Sequence, residues 1–147
     1  MCKIFKKTLK EIKNIYSMGI WYVKYGKMKW DITKAIRIGR GLIIYTSEKN
    51  RCIGKTTLLS ELSKSHELVI MVKYAHQKEL LKRKGVNRVM HVPNIDSIRG
   101  MRSKKPILID EGFSDEELLY LKSSYELYGF HKLNSKKHRR NYEKIYF

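Results

Sequence analysis

Two short groups of residues in this chain have the types and spacing that phosphate chemistry needs. The first is Asn50-Arg51-Cys52-Ile53-Gly54-Lys55-Thr56-Thr57, between the apolar run Gly41-Leu42-Ile43-Ile44-Tyr45 and a helical segment over 57–62. Backbone N–H groups at a helix N-terminus cradle phosphate oxygens, a lysine there neutralises β/γ-phosphate charge, and a neighbouring hydroxyl holds Mg²⁺. Lys55 and Thr56 fit the last two roles, and the backbone amides of 50–57 fit the first. The expected cofactors are therefore a nucleoside triphosphate and Mg²⁺. The full motif has a glycine five residues before Gly54, where this chain has Lys49.

The second group is Pro106-Ile107-Leu108-Ile109-Asp110-Glu111. A buried strand that ends in two carboxylates needs a cationic partner, because burying charge alone is costly. A Mg²⁺–nucleotide supplies one. Asp110 is the expected metal-holding group, acting through water and sharing the ion with Thr56. Glu111 is the expected catalytic group that polarises the attacking water, with Lys55 assisting. Two consecutive carboxylates, in place of Asp-x-Gly, point to attack by water instead of transfer to a small acceptor.

These residues need a scaffold that brings two distant segments together. The pattern predicts strands over 42–46, 68–73, 88–92 and 107–110, and helices over 55–65, 76–84 and 114–122. Ser114 is the N-cap of the last helix, with Glu116 and Glu117 in its first turn. A fifth strand is expected over 125–130. Strands alternating with helices imply an α/β fold, a three-layer arrangement around a mostly parallel central sheet.

Residues 1–39 form an expected basic helical and aromatic N-terminal extension, 40–130 the core, and 131–147 a basic tail. Within the extension, 3–16 reads as an amphipathic helix that either packs on the core through its apolar stripe or lies on a membrane or nucleic acid. The aromatic-rich stretch 20–30 reads as a hairpin or irregular arm, either buried or available for base stacking. Asp31 reads as the N-cap of a short helix ended by Gly39. The tail reads as disordered or as a nucleic-acid contact.

Charge sharpens the expected partner. The 147 residues include 32 Lys and Arg against 14 Asp and Glu, a net charge of +18. Residues 1–40 hold eleven basic and two acidic residues, and 131–147 hold six and one, so the excess sits on the flanks. Such a balance favours a polyanion, and nucleic acid, DNA ahead of RNA, is preferred to a membrane. An AT-rich genome also raises lysine content. Cys2 and Cys52 make no disulfide framework, which suits a reducing, cytoplasmic setting, the host cytoplasm if the protein is viral. No run is long and apolar enough for a membrane span. The five histidines show no metal-ligand spacing and read as ordinary surface or core residues.

With both groups in view, residues 40–115 resemble the additional-strand, catalytic-glutamate class of P-loop ATPases. Within that class they are most similar to the ATPase half of viral DNA-packaging terminases and to related helicases. Arg51-Cys52-Ile53-Gly54-Lys55-Thr56 matches the Arg-x-x-Gly-Lys-Thr form of the terminase loop, and Ile95-Asp96-Ser97-Ile98-Arg99-Gly100 matches the loop before the acidic strand. The resemblance implies that Arg51 senses the γ-phosphate. It also implies a coupling motif after the acidic strand, with Ser123-Ser124 or Asn134 as candidates, and an arginine finger, with Arg99 or Arg102 as candidates. A terminase nuclease domain has no counterpart in this chain, and with no coupling motif or arginine finger assigned, a second copy or a partner protein is expected to complete the ATPase site. The leading expectation is a small nucleic-acid-directed ATPase. The alternatives are a nucleotide-binding regulatory or scaffold subunit with little hydrolysis, and an assembly factor held at a membrane by a basic helix.

Overall fold

The computed structural model describes residues 2–46, 54–103, 105–132 and 143–146. Side chains are described from Glu11 onward, apart from those of Ile12 and 143–146. The chain opens with one long helix, α1 (Cys2–Ile38, 37 residues). Trp21, Tyr25, Met28, Ile32 and Ala35 recur at alternating steps of four and three, which keeps them on one stripe of a helix. Met28, Ile32 and Ala35 are fully buried, and Trp21, Tyr25 and Ile36 pack beside them. That unbroken stripe is why the expected hairpin or arm over 20–30 is helix instead. Asp31 is no N-cap: it lies inside the helix and is buried. Gly26 is tolerated because a side chain there would meet only open space, and its helix cost of about 1 kcal/mol is small beside the burial of the stripe.

Packing of the N-terminal part on the core is not found where side chains are described, since Ile15 and Tyr16 are exposed. The helix stops at Gly39 (φ 63) as the sequence predicts. There Arg40 N–H donates to Ala35 O (3.1 Å) and Gly39 N–H to Ile36 O (3.2 Å), the paired bonds of a glycine-ended helix.

The remaining elements follow in alternation. They are β1 (Leu42–Thr46), α2 (Lys55–His66), β2 (Val69–Val72), α3 (Ala75–Arg83) and β3 (Val89–His91). A 3₁₀ turn (Ile95–Ile98) then leads to β4 (Ile107–Ile109), α4 (Asp115–Ser124), β5 (Leu127–Lys132) and β6 (Glu143–Tyr146). Ser114 caps α4 as expected, its hydroxyl accepting from Glu117 N–H while Glu117 Oε2 accepts from Ser114 N–H. The strands form one sheet in the order β3-β2-β4-β5-β1-β6. The first five are parallel, and β6 runs antiparallel along β1. Part of the tail expected to be disordered or to contact nucleic acid is therefore an edge strand. Residues 133–142 lie outside the described residues.

Alternation along the strands builds two cores. Leu42, Ile44, Ile70, Val72, Leu108, Tyr128 and Phe130 face α1, α2 and α3. Ile43, Met71, Ile107, Ile109 and Leu127 face the 3₁₀ turn and α4. The result is a three-layer α/β fold in which β5 stands between β1 and β4. Gly129 makes that insertion possible. It pairs with Ile43 on one side and Ile109 on the other, at φ 143, and a Cβ there would collide with the Ile109 carbonyl oxygen. Gly129→Ala is expected to destabilise the fold by ~3–5 kcal/mol or to abolish it, because backbone must move to admit the methyl. Urea unfolding followed by circular dichroism measures this, and a loss below ~1 kcal/mol would contradict the close approach.

Candidate functional site

In an open parallel sheet the crevice for ligands lies beyond the carboxyl ends of the strands. The candidate residues gather there. Gly54, the N-cap of α2, is left-handed (φ 78), and Leu58 N–H donates back to its carbonyl (2.8 Å), so Lys55 begins the helix. Lys55 Nζ lies 3.1 Å from Glu111 Oε1, both side chains largely shielded from solvent. The two expected catalytic groups therefore meet, although they come from elements two strands apart. Thr56 is half-buried in the first turn of α2. Thr57 is exposed, and its hydroxyl accepts from Lys84 Nζ (3.5 Å).

Glu111 is held from several sides. The Thr46 hydroxyl, at the end of β1, donates to its Oε1. Gln77, in the first turn of α3, donates from Nε2 to its backbone carbonyl (2.8 Å). Its own N–H donates to Asp110 Oδ1 (2.8 Å). Asp110 is 5% exposed. Burial pushes its carboxyl up to about 6. The Glu111 N–H bond opposes that rise, the Glu111 charge adds to it, and Lys55 and His76 oppose it. A carboxyl so desolvated is the kind of group that a divalent cation would hold ionised.

The sequence reading missed three features. Thr46 is fully buried and also lies 3.4 Å from the His131 carbonyl oxygen, so it ties β1, β4 and β5 together. Its signal is a small hydroxyl residue at the end of a strand of large, mostly apolar ones. His131, expected to be ordinary, is buried at the end of β5 with Nε2 2.7 Å from Asp115 Oδ1 and its ring edge-on to Tyr45. Third, the stacked rings of Trp21 and Tyr25 lie against Gly54. A Cβ there would sit 3.1 Å from each, so only glycine suits both the space and the backbone.

Other expectations separate from the site. Ser123 and Ser124 lie in the last turn of α4, before β5 begins, so neither is at its carboxyl end. Arg102 lies with Glu67, Pro106 and Tyr125 near the amino ends of β2 and β4, the opposite edge of the sheet from Lys55. Arg99 is exposed and paired with Asp96 (2.7 Å). Asn50, Arg51, Cys52, Ile53 and Asn134 lie outside the described residues. Among the described residues no group of three His, Cys, Asp or Glu side chains is placed to hold a metal. Mg²⁺ bound through nucleotide phosphates needs only one or two protein ligands, so Thr56 and Asp110 suffice in type.

No family model matches the chain, and neither a curated protein nor a solved structure matches it. The fold and the site together define an α/β protein of parallel-sheet type. At the carboxyl ends of its strands it gathers a helix-start lysine, two carboxylates and a buried hydroxyl.

The raised Asp110 carboxyl has a pH consequence. The native protein takes up this proton near pH 6 and the unfolded chain near 3.8, so the group's stabilising contribution is present below pH 4. That contribution is lost as pH rises through about 6. Asp110→Asn keeps an acceptor for Glu111 N–H and removes the loss, so at pH 8 without divalent cation it should be more stable than the parent by roughly 2–3 kcal/mol. Urea midpoints across pH 4–8 measure this. A variant less stable than the parent at pH 8 would show that the buried charge is already compensated.

Proposed function

We propose that this chain is a small P-loop ATPase that hydrolyses ATP with Mg²⁺ and acts on nucleic acid, in a viral task such as DNA packaging, remodelling or replication. The carrying observation is the contact of Lys55, first residue of the helix after β1, with Glu111, just beyond β4. The position of β5 between those strands supports the additional-strand class over other P-loop arrangements.

In this reading the N-terminal amides of α2 and Lys55 bind the phosphates. Thr56 and Asp110 would hold the metal, which when bound would supply positive charge toward the phosphoryl oxygens. Lys55 leaves Glu111 for phosphate when nucleotide enters. Glu111 then orients the attacking water and accepts its proton, with its carboxylate positioned by the Thr46 hydroxyl. Arg51 senses the γ-phosphate by resemblance. His131 occupies the end of the intervening strand, where it links Thr46 through its carbonyl and α4 through Asp115. A second copy or a partner protein supplies an arginine finger. The net charge of +18 supports nucleic acid as the polyanion.

A second reading, a nucleotide-binding regulatory subunit with little hydrolysis, rests on the same contacts. Lys55 and Thr46 both engage Glu111 Oε1, a self-satisfied resting arrangement that only nucleotide or a partner would open.

Phosphate release by the purified chain, measured with and without DNA and RNA, decides between them. Glu111→Gln is expected to lower turnover ~10²–10⁴-fold with ATP binding retained, and Lys55→Ala to remove both. Turnover by Lys55→Ala at the parental rate would overturn the assignment. Tight ATP binding with no phosphate release under any condition would select the second reading.

A further inference from the structure

The outer face of α1 carries a feature that hydrolysis does not use. Gly26, Lys29, Trp30, Thr33, Lys34 and Arg37 line one shallow groove, and their spacing of three and four residues puts them on a single helix face. That face is opposite the stripe of Met28, Ile32 and Ala35 that packs on the core. Trp30 is 66% exposed, and Lys34 and Arg37 are exposed beside it. Gly26 leaves open space next to the indole. Lys29 pairs with Glu61 at 2.8 Å, but both side chains are about half exposed, and such pairs hold weakly enough to exchange for a phosphate. From 24 to 40 the chain has six basic residues and one acid, Asp31, which is buried away from the groove.

We propose that this groove binds single-stranded nucleic acid, with a base stacked on Trp30 and neighbouring phosphates on Lys29, Lys34 and Arg37. This rests on nucleic acid being the partner, but binding is measured without nucleotide, so it stands or fails apart from ATP hydrolysis. Two properties select the ligand. An exposed indole among cations recognises the flat face of a base, which an unpaired strand offers and a duplex hides. A helix lying on lipid buries an apolar face and keeps its cations at the margins. Here Arg37 and Thr33 stand in the middle of the face, beside the ring. A second copy of the chain would bring like charge to like charge. The groove spans about 16 Å along the helix, room for a few nucleotides.

The test uses the full chain and fluorescein-labelled oligo(dT), alone and as a duplex with oligo(dA), in fluorescence anisotropy across a salt series. Trp30→Ala is expected to weaken oligo(dT) binding by roughly 5- to 150-fold, Trp30→Phe far less, and Lys34→Glu with Arg37→Glu to lower the salt slope. Because Trp30 is exposed, the parental circular dichroism spectrum is expected in its variants. Parental oligo(dT) affinity in Trp30→Ala would overturn the proposal. So would duplex binding as tight as that of the single strand, or capture by phosphatidylserine vesicles that depends on Trp30 while oligo(dT) binding does not.

Discussion

The site depends on a strand inserted between two others. Neighbouring strands lie about 4.8 Å apart, so with β5 between them the ends of β1 and β4 stand about 10 Å from each other. Gly129 allows the insertion by giving the Ile109 carbonyl room that a side chain would take. At that separation a short side chain from one strand cannot touch the main chain of the other. Lysine is long enough to span the gap, and Glu111, beyond the end of β4, reaches to meet it. Thr46 meets both sides of the gap, its hydroxyl touching the His131 carbonyl on the strand between and the Glu111 carboxylate beyond β4. Geometry set by one glycine thus determines which side chains can act together.

Adjacent carboxylates at the same strand end have opposite surroundings. Asp110 is enclosed, with one backbone donor against the cost of burial. Glu111 is partly open and engaged by an ammonium and a hydroxyl. The first is suited to a fixed cation and the second to a group that changes partners. Gln77 holds the main chain just after Glu111, at its carbonyl, which fixes where the second carboxylate begins.

Much of the fold was legible because its signals are local. β1 appears at 42–46 as read, and the capping box at Ser114 appears with both its hydrogen bonds. Short apolar runs and glycine stops needed no knowledge of neighbours. The site was legible for Lys55, Asp110 and Glu111, whose residue types stand out at element ends. Thr46 and His131 were not, because their roles come from β5 standing between β1 and β4, a relation that no local pattern encodes. The middle of α1 misled for a related reason. Aromatics, a glycine and an aspartate suggest a break when read singly, whereas the stripe from Trp21 to Ala35 is continuous and is buried only by tertiary packing. The edge strand β6 was hidden in a polar, basic tail, since an edge position asks little of side chains.

The rings of Trp21 and Tyr25 rest on Gly54, the glycine that starts α2. They belong to a single helix of 37 residues, a rod about 55 Å long, fixed to the body chiefly through Met28, Ile32 and Ala35. In mechanical terms this is a lever. The short arm touches Gly54, the fulcrum lies about one to two turns farther along, and the long arm extends to the amino end. A shift of Gly54 therefore presses on the rod through these two rings, on the side of the anchor that carries its long arm.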